Sequence, residues 1–240
     1  MTSLENRVVC ITGASRGLGA ALARAFHRAG ARLVLGARDA ERLTEVAKEC
    51  GGAVALLCDV RRVEDVERLV RTALERFDRL DVMVNNAGVA VYSPFLETRE
   101  EDLDEMLATN VKGTYLGCQA AFRVMKERGE GLIVNISSIS GARHLVNESA
   151  YGASKWAVQG LTGVLQQEAA KHGVRVTSVV AGGIDTPFWE SRAFLPFPRS
   201  AIDPARDFMS ADEVAELIVD IARRSDRFVV PEVVCLPMLG

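Results

Sequence analysis

Short apolar runs alternate with longer amphipathic stretches along the whole chain. Apolar runs bounded by glycine or polar residues are typical of buried strands, whereas apolar positions three and four apart are typical of helices. The runs predict strands at residues 7–12, 32–36, 53–57, 80–84, 132–136, 174–180 and 227–236. The helical spacing predicts helices at residues 17–29, 39–50, 63–77, 99–128, 151–172 and 211–224, the fourth with a break near Asn110 and Gly113. Four prolines predict an irregular segment at 187–209.

This alternation of strands and helices indicates the fold class. Strand–helix–strand units take right-handed crossovers, so successive strands form a parallel sheet with helices on both faces. No linker, repeat or composition shift divides residues 1–240, and 48% hydrophobic residues suffice for a sizeable core. We therefore predict a single α/β domain, a Rossmann-type doubly wound parallel sheet of about seven strands flanked by helices. Its ligand site is expected beyond the carboxyl ends of the strands.

Charge and cysteine usage narrow the possible partners. A formal net charge of -3 gives no basic excess for nucleic acid or an anionic membrane surface. The five cysteines are scattered, without a C-x-x-C pair or a cluster of metal ligands, which favours reduced thiols over disulfides or a metal site. The sequence shows no apolar signal region and no run long enough to span a bilayer. We expect a cytoplasmic protein without nucleic-acid, membrane or metal partners.

The stretch around Tyr151 carries the most informative chemistry. Tyr151 and Lys155 are four residues apart on a predicted helix, so their side chains share one face. A neighbouring ammonium lowers the pKa of a phenol from about 10 towards working pH, and such a phenol exchanges protons with a carbonyl or alcohol oxygen. Ser137 or Ser138, at the end of the preceding strand, is suited to hydrogen-bond the same oxygen. Taken alone, this spacing is also that of an ordinary surface pair.

A glycine-rich loop follows the first predicted strand. Residues 12–19 read Thr-Gly-Ala-Ser-Arg-Gly-Leu-Gly, with the spacing G-x-x-x-G-x-G. Glycines permit a tight turn and a close approach to a pyrophosphate, and the following helix offers free N–H groups. A merely structural turn is the alternative interpretation.

The end of the second strand indicates which dinucleotide would bind. An NAD site has a carboxylate there, whereas arginine matches a 2′-phosphate. Ala37 occupies the strand end, Arg38 follows it, and Asp39 is interpreted as the cap of the next helix. Together with Arg16 in the glycine loop, Arg38 favours NADP(H), unless both are ordinary surface arginines.

These motifs together resemble the classical short-chain dehydrogenases/reductases over essentially the whole chain. Each motif is weak alone, but the set is close to diagnostic because all occur in family order. The resemblance implies a cofactor half at about 1–136 and a catalytic and substrate half at about 137–240. It rests on residues 12–19, Asp59-Val60, Asn85-Asn86-Ala87-Gly88, Asn110, Ser138, Tyr151-Gly152-Ala153-Ser154-Lys155 and Thr186.

The resemblance implies a role for each matching residue. Tyr151 would be the acid/base, Lys155 would lower its pKa and hold the nicotinamide ribose, and Ser138 rather than Ser137 would orient the substrate oxygen. The backbone carbonyl of Asn110 would hold a water that links Lys155 to solvent, unless Asn110 only breaks the helix. Asp59 and Val60 would flank the adenine, unless Asp59 only caps the next helix. The cofactor-binding set would be Gly13, Ser15, Arg16, Gly17, Leu18, Gly19, Arg38, Asp59, Val60, Asn86, Ala87, Gly88, Tyr151, Lys155, Gly182, Ile184 and Thr186.

Two segments depart from the family pattern. Ala181-Gly182-Gly183 replaces the common Pro-Gly after the sixth strand, which predicts extra flexibility beside the nicotinamide. Residues 228–237 lack the ending of 3-oxoacyl-carrier-protein reductases and are more similar to that of NADP-dependent 3-hydroxy acid and serine dehydrogenases.

Substrate contacts are expected from residues 89–95, 144–148 and 187–209. The last segment is interpreted as an apolar lid, an interface or a core element. His144 lies in the second segment, without an expected catalytic role. The three segments carry Tyr92, Phe95, Leu145, Phe188, Trp189, Phe194 and Phe197.

The sequence thus predicts an NADP(H)-dependent oxidoreductase that transfers hydride between nicotinamide and a small carbonyl or secondary alcohol. One alternative is a 3-oxoacyl-carrier-protein reductase, which would need a basic docking patch such as Arg99, Arg123 and Arg128. The other is a non-catalytic dinucleotide-binding regulatory protein. Helices near 99–128 and 151–172 resemble those with which the family pairs subunits, so a homodimer or homotetramer is expected.

Overall fold

Seven strands form one parallel sheet in the computed structural model, which describes residues 2–189, 195 and 202–238. The strands are β1 (Val8–Thr12), β2 (Arg32–Ala37), β3 (Val54–Leu57), β4 (Val82–Asn85), β5 (Gly131–Ile136), β6 (Val174–Ala181), β7 (Ile184–Asp185), β8 (Met209–Ser210) and β9 (Glu232–Cys235). The spatial order is β3-β2-β1-β4-β5-β6-β9, and β7 pairs with β8 in a separate small sheet. Because the order reverses between β1 and β4, their carboxyl ends form the switch point of a doubly wound fold.

Helices cover both faces of the large sheet. They are α1 (Gly17–Arg28), α2 (Ala40–Glu49), α3 (Val63–Phe77), α4 (Glu100–Met106), α5 (Gly113–Arg128), α6 (Ser149–Ala170), α7 (Pro204–Asp207) and α8 (Ala211–Ala222). Within the described residues, none is long and apolar enough to cross a lipid bilayer.

The alternating side chains of β1 divide the core between the two faces. Val9 and Ile11 pack in one apolar cluster with α1, α2 and α8, while Val8 and Cys10 pack in another with α3, α5 and α6. Successive side chains of a strand point to opposite faces, so a strand that is apolar throughout is buried on both. The predicted Rossmann-type α/β fold is confirmed.

Several boundaries differ from the sequence-based prediction. The long helix predicted at 99–128 is interrupted, near the expected break, by a π-helical segment at Leu107–Lys112. The last strand begins at Glu232 rather than 227, because Pro231 has no N–H to donate to the ladder. Two short elements, α7 and β8, lie within the segment predicted to be irregular. Phe194 and Phe197 lie outside the described residues, so their predicted substrate contacts stay predictions.

Candidate active site

A cavity of about 780 Å³ lies beyond the carboxyl ends of the central strands. Its wall is formed by the loops that follow β1, β2, β3, β4, β5 and β6, together with the first turns of α6. This volume is in the range of sites for organic cofactors and substrates, roughly 300–1,000 Å³. All the predicted catalytic and cofactor-binding residues line this cavity except Asn110.

The glycine loop is a rigid cradle at the amino terminus of α1. Gly13 and Gly17 have φ angles of +67° and +55°, which other residues rarely adopt, and a Cβ on Gly19 would overlap the carbonyl oxygen of Gly13. From the end of β4, the Asn86 amide donates to the carbonyls of Thr12 and Gly13 at 2.9 and 3.2 Å. The loop backbone carries few side chains and lies beside the N–H groups at the start of α1, an arrangement suited to binding a pyrophosphate.

Arg16 and Arg38 lie on the solvent-exposed end of the cavity wall. Among the described residues, neither guanidinium takes part in an ion pair or a side-chain hydrogen bond. Asp39 caps α2 as predicted, since its carboxylate accepts from the backbone N–H of Arg42 at 3.1 Å. This end of the cavity therefore presents two uncommitted guanidinium groups.

Asp59, after β3, is bound to a neighbour that the sequence did not indicate. Its carboxylate accepts from Nε of Arg61 at 2.9 and 3.0 Å, and this hydrogen bonding holds the pKa of Asp59 below its usual value. The cap position of α3 is Arg62, without a side-chain cap. The interpretation of Asp59 as a helix cap is therefore wrong.

Tyr151 and Lys155 lie near the start of α6, buried and facing the cavity with exposed fractions of only 7% and 6%. Nζ of Lys155 is 5.8 Å from the centre of the Tyr151 ring and donates to the carbonyl of Ile136 at 2.9 Å. Burial lowers the pKa of Lys155 to about 8, because the charged amine loses hydration. A pair buried in this way is not an ordinary surface pair.

Asn110 lies behind the cavity wall, in the π-helical segment. Its amide accepts from the N–H of Val89 at 2.8 Å and donates to the Val89 carbonyl at 2.8 Å and to Ser154 Oγ at 2.9 Å. The side chain thus ties the loop after β4 to α6. The water-holding role implied for the Asn110 backbone carbonyl stays a prediction, although π-helical segments recur at functional sites.

Ser138 begins a hydrogen-bonded chain of side chains that sequence reasoning missed. Ser138 Oγ lies 3.1 Å from Ser140 Oγ, and Ser140 Oγ lies 2.5 Å from Oε2 of Glu148, so both pairs are within hydrogen-bond distance. Burial raises the pKa of the Glu148 carboxyl above its ordinary value. Ser137 also lines the cavity, but its hydroxyl donates to the backbone carbonyl of Lys155 at 3.5 Å. The only signal in the sequence was a glutamate just before a helix, where acidic residues are common for other reasons.

Aromatic rings form the far end of the cavity. Tyr92 stacks on Trp189 with ring centres 6.0 Å apart and meets Tyr151 edge-on at 5.5 Å. Phe188 lies 6.4 Å from Tyr151. Other apolar lining residues are Leu145, Val146, Ile202 and Phe208.

Two residues of the predicted substrate segments lie elsewhere. Phe95 is 77% exposed on a short 3₁₀ turn outside the cavity wall, so its predicted contact is wrong. His144 is exposed and stacks on Trp156, with ring centres 5.6 Å apart. Which side of a loop faces the cavity depends on tertiary packing, and local sequence does not encode it.

The Gly182-Gly183 turn is packed on both sides. A Cβ on Gly182 would lie 2.9 Å from Pro237 Cδ, and one on Gly183 would lie 2.5 Å from the Phe208 ring. The N–H of Gly182 also donates to the carbonyl of Cys235 at 2.8 Å. The glycines permit this close approach, which corrects the predicted extra flexibility.

The doubly wound sheet and the glycine cradle at its switch point define a Rossmann-type dinucleotide-binding protein. The family model of short chain dehydrogenases matches residues 7–193. L-fucose dehydrogenase of Oryctolagus cuniculus is 42% identical over 198 residues, which cover 82% of this chain and 69% of that protein. The chain therefore belongs to the short chain dehydrogenase family, an oxidoreductase family that uses nicotinamide cofactors, as the motifs indicated.

The solved structures that are similar to this chain include two dehydrogenases with bound NADP forms. An alcohol dehydrogenase from the archaeon Thermococcus sibiricus, complexed with 5-hydroxy-NADP, has a TM-score of 0.84 and 33% identity, with 96% of each chain covered. The closed form of a serine dehydrogenase, complexed with NADP+, has a TM-score of 0.87 and 27% identity, covering 95% of this chain and 94% of that one.

Proposed function

We propose that the protein is an NADP(H)-dependent oxidoreductase that interconverts a small carbonyl compound and a secondary alcohol. The observation that carries this proposal is the meeting of Tyr151, Lys155 and Ser138 on one cavity with the glycine cradle. A buried phenol, an amine and a hydroxyl at the switch point provide a proton donor, a charge and an orienting group.

In the proposed reaction, residues of this chain hold the cofactor, orient the substrate and transfer a proton to or from its oxygen. A nicotinamide cofactor held in this cavity would supply the hydride, and the cavity would position it against the substrate. Tyr151 gives its proton to the carbonyl oxygen in reduction and takes it back in oxidation. Lys155, as the ammonium, favours the phenolate of Tyr151 and holds the ribose hydroxyls, while Ser138 orients the substrate oxygen. Asn110 supports a proton path to solvent through its backbone carbonyl.

The preference for NADP(H) rests on Arg16 and Arg38. Both line the exposed end of the cavity, and the carboxylate of Asp39 is engaged in capping α2. A bidentate guanidinium suits a 2′-phosphate. The two solved relatives with bound NADP forms support the same choice.

The aromatic end of the cavity favours substrates with apolar substituents. The rings of Tyr92 and Phe188 lie 5.5 and 6.4 Å from that of Tyr151, and Trp189 packs against both of them, so apolar rings adjoin the proposed acid/base. We therefore propose small carbonyl compounds with an apolar or aromatic group beside the reacting carbon.

The two alternatives receive less support. A carrier-protein reductase needs a free basic patch, but Arg99, Arg123 and Arg128 are paired with Asp102, Glu67 and Glu130 respectively. A purely regulatory nucleotide-binding protein has no need for the buried Tyr151–Lys155 pair.

We further propose a homodimer or homotetramer in the cytoplasm. Tyr115 on α5 and Trp156 and Val164 on α6 are large apolar side chains with 45–61% of their surface exposed. The free cysteines are consistent with a reducing compartment.

Fluorescence titration with NADPH and, separately, NADH tests the cofactor assignment. We expect the wild type to bind NADPH more tightly, and Arg38→Asp to reverse the preference, because a carboxylate repels the 2′-phosphate and accepts from the ribose hydroxyl. Arg71→Asp, at an exposed ion-paired arginine of α3, is the matched control and should keep the wild-type preference. Failure to bind either nucleotide would overturn the enzyme proposal, and an NADH preference would overturn the assignment of Arg16 and Arg38.

A further inference from the structure

The chain Ser138–Ser140–Glu148 ends in a buried carboxyl that the mechanism above does not use. Glu148 is 6% exposed, lines the cavity and occupies the position before α6, yet its side chain does not cap that helix. Its Oε2 is instead 2.5 Å from Ser140 Oγ, which is 3.1 Å from Ser138 Oγ. The backbone N–H of Ser140 also donates to Ser138 Oγ at 3.1 Å.

The protonation state of Glu148 decides which way this chain donates. Each hydroxyl has one hydrogen and two lone pairs and rotates freely. A carboxylate accepts from Ser140, which then accepts from Ser138, so the only Ser138 hydrogen points away from the substrate. A neutral carboxyl donates to Ser140, which then donates to Ser138. In that second arrangement Ser138 Oγ accepts from both the hydroxyl and the backbone N–H of Ser140, so its own hydrogen is left to donate to the substrate.

Reduction of a carbonyl requires the second arrangement. A carbonyl oxygen only accepts, and negative charge develops on it as hydride arrives. Ser138 stabilises that charge only if it donates. The first arrangement would leave Ser138 presenting a lone pair to the oxygen, which is repulsive.

Burial shifts Glu148 towards the neutral form, relative to an exposed glutamate. Burial raises the pKa of its carboxyl, whereas the hydrogen bond from Ser140 opposes that rise, as does the positive end of α6. The titratable groups are Arg143, His144, Tyr151 and Lys155 along the chain and, from the loop after β4, Tyr92, which lines the same cavity and packs on Tyr151. Within the described residues neither Arg143 nor His144 forms an ion pair with Glu148, and the Lys155 amine donates to the Ile136 carbonyl.

We propose that Glu148 is a positioning residue for carbonyl reduction: when protonated, it orients the hydroxyls of Ser140 and Ser138 so that Ser138 donates to the substrate oxygen. This inference rests on the proposed reductase activity and on the role given there to Ser138. It adds two residues to the site, neither of which has to contact the substrate.

Steady-state reduction of a small apolar ketone by Glu148→Gln, Glu148→Met and Ser140→Ala tests the proposal. Methionine is similar in length to glutamate but has no hydrogen-bond donor, so the kcat of E148M should fall roughly ten- to a hundredfold below that of the wild type, with KM little changed. Glutamine has an N–H that donates to Ser140, so E148Q should keep at least about tenfold more activity than E148M. Glu45→Gln, at an exposed glutamate of α2, is the control for a distant acidic residue.

Two further readouts separate orientation from a structural effect. Above the pKa of Glu148 the wild type loses its donor while E148Q keeps one, so the kcat ratio of E148Q to wild type should rise with pH. Adding E148M to the S140A background should cause no further loss, because the chain is already broken. Equal losses in E148Q and E148M, an effect confined to KM, or independent effects of the two sites would overturn the proposal.

Infrared spectroscopy of the protein without nucleotide or substrate gives a readout that does not depend on activity. In a pH titration, wild type minus E148Q should show the carbonyl band of a protonated carboxyl at pH values at which exposed glutamates are already ionised. Absence of this band would overturn the proposal even if the enzyme is active. A wild type that shows the band but reduces no carbonyl compound would instead overturn the proposed reductase function, and this inference with it.

Discussion

Lys155 illustrates how burial changes the chemistry of a single residue. An amine on the surface stays charged to about pH 10. With its pKa lowered to about 8 by burial, Lys155 is still largely protonated at neutral pH and loses its charge above that range. The proposed activation of Tyr151 therefore belongs to the pH range in which Lys155 is an ammonium 5.8 Å from the phenol ring centre.

The single substitution Tyr151→Phe tests proton transfer separately from nucleotide binding. We expect kcat for ketone reduction to fall at least about a hundredfold, because the proton donor is lost. NADPH affinity should fall much less than kcat, since only one of the predicted cofactor contacts is lost and phenylalanine keeps the edge-on contact with Tyr92. Tyr115→Phe, at a half-exposed tyrosine of α5, is the matched control and should retain wild-type turnover. Unchanged turnover in Y151F would exclude Tyr151 as the acid/base.

At the scale of elements, a buried polar network joins the strands and helices beneath the site. Asn85 on β4 donates to Asn135 on β5 at 2.8 Å, and Asn135 donates to Thr162 on α6 at 2.9 Å. Gly117 lets α5 approach this network, because a Cβ there would overlap Asn85 Oδ1. The close packing of α5 against β4 therefore depends on the absence of a side chain at residue 117.

Gly117→Ala should accordingly destabilise the protein although alanine is the better helix former. We expect a loss of about 1–3 kcal/mol in the free energy of unfolding from overpacking. Gly160→Ala, where nothing lies within 4 Å of the new Cβ, should gain up to about 1 kcal/mol from helix propensity. Urea unfolding of both variants at one protein concentration measures the difference. A stabilised G117A would contradict the packing account.

At the scale of the whole molecule, α5 and α6 present apolar side chains to solvent. Tyr115, Trp156 and Val164 are 50%, 45% and 61% exposed. Exposed apolar patches commonly mark surfaces that pair with another protein. Both helices also pack inward against the sheet, and α6 carries Tyr151 and Lys155 of the cavity wall, so the proposed subunit interface and the site share α6.

Val164→Asp should therefore weaken the proposed oligomer. A charge in an apolar interface loses hydration without gaining a partner, so the mass measured by sedimentation should fall towards that of one chain. Leu57→Asp, at the end of the edge strand β3 and 60% exposed, is the control and should leave the mass unchanged. A wild type that sediments as a single chain would contradict the oligomer proposal.

Periodicity and spacing were enough to predict the order and type of the main strands and helices and the residues of the glycine loop. Hydrophobic periodicity reports burial locally, so the alternation of strands and helices was readable without contacts. Asp39 was recognisable as a cap because capping involves only neighbouring residues. The motifs were expected to lie close together, because each follows a strand and the carboxyl ends of parallel strands meet at one edge of the sheet.

The contacts among the side chains of the site, in contrast, depend on how elements distant in sequence pack together. Ser138, Ser140 and Glu148 form their chain because the turn after β5 folds back on the start of α6. In the same way Asn110 ties a loop to α6, and Phe95 faces away from the cavity. The direction of a loop side chain and the burial of a carboxyl depend on elements distant in sequence, so no local pattern encodes them.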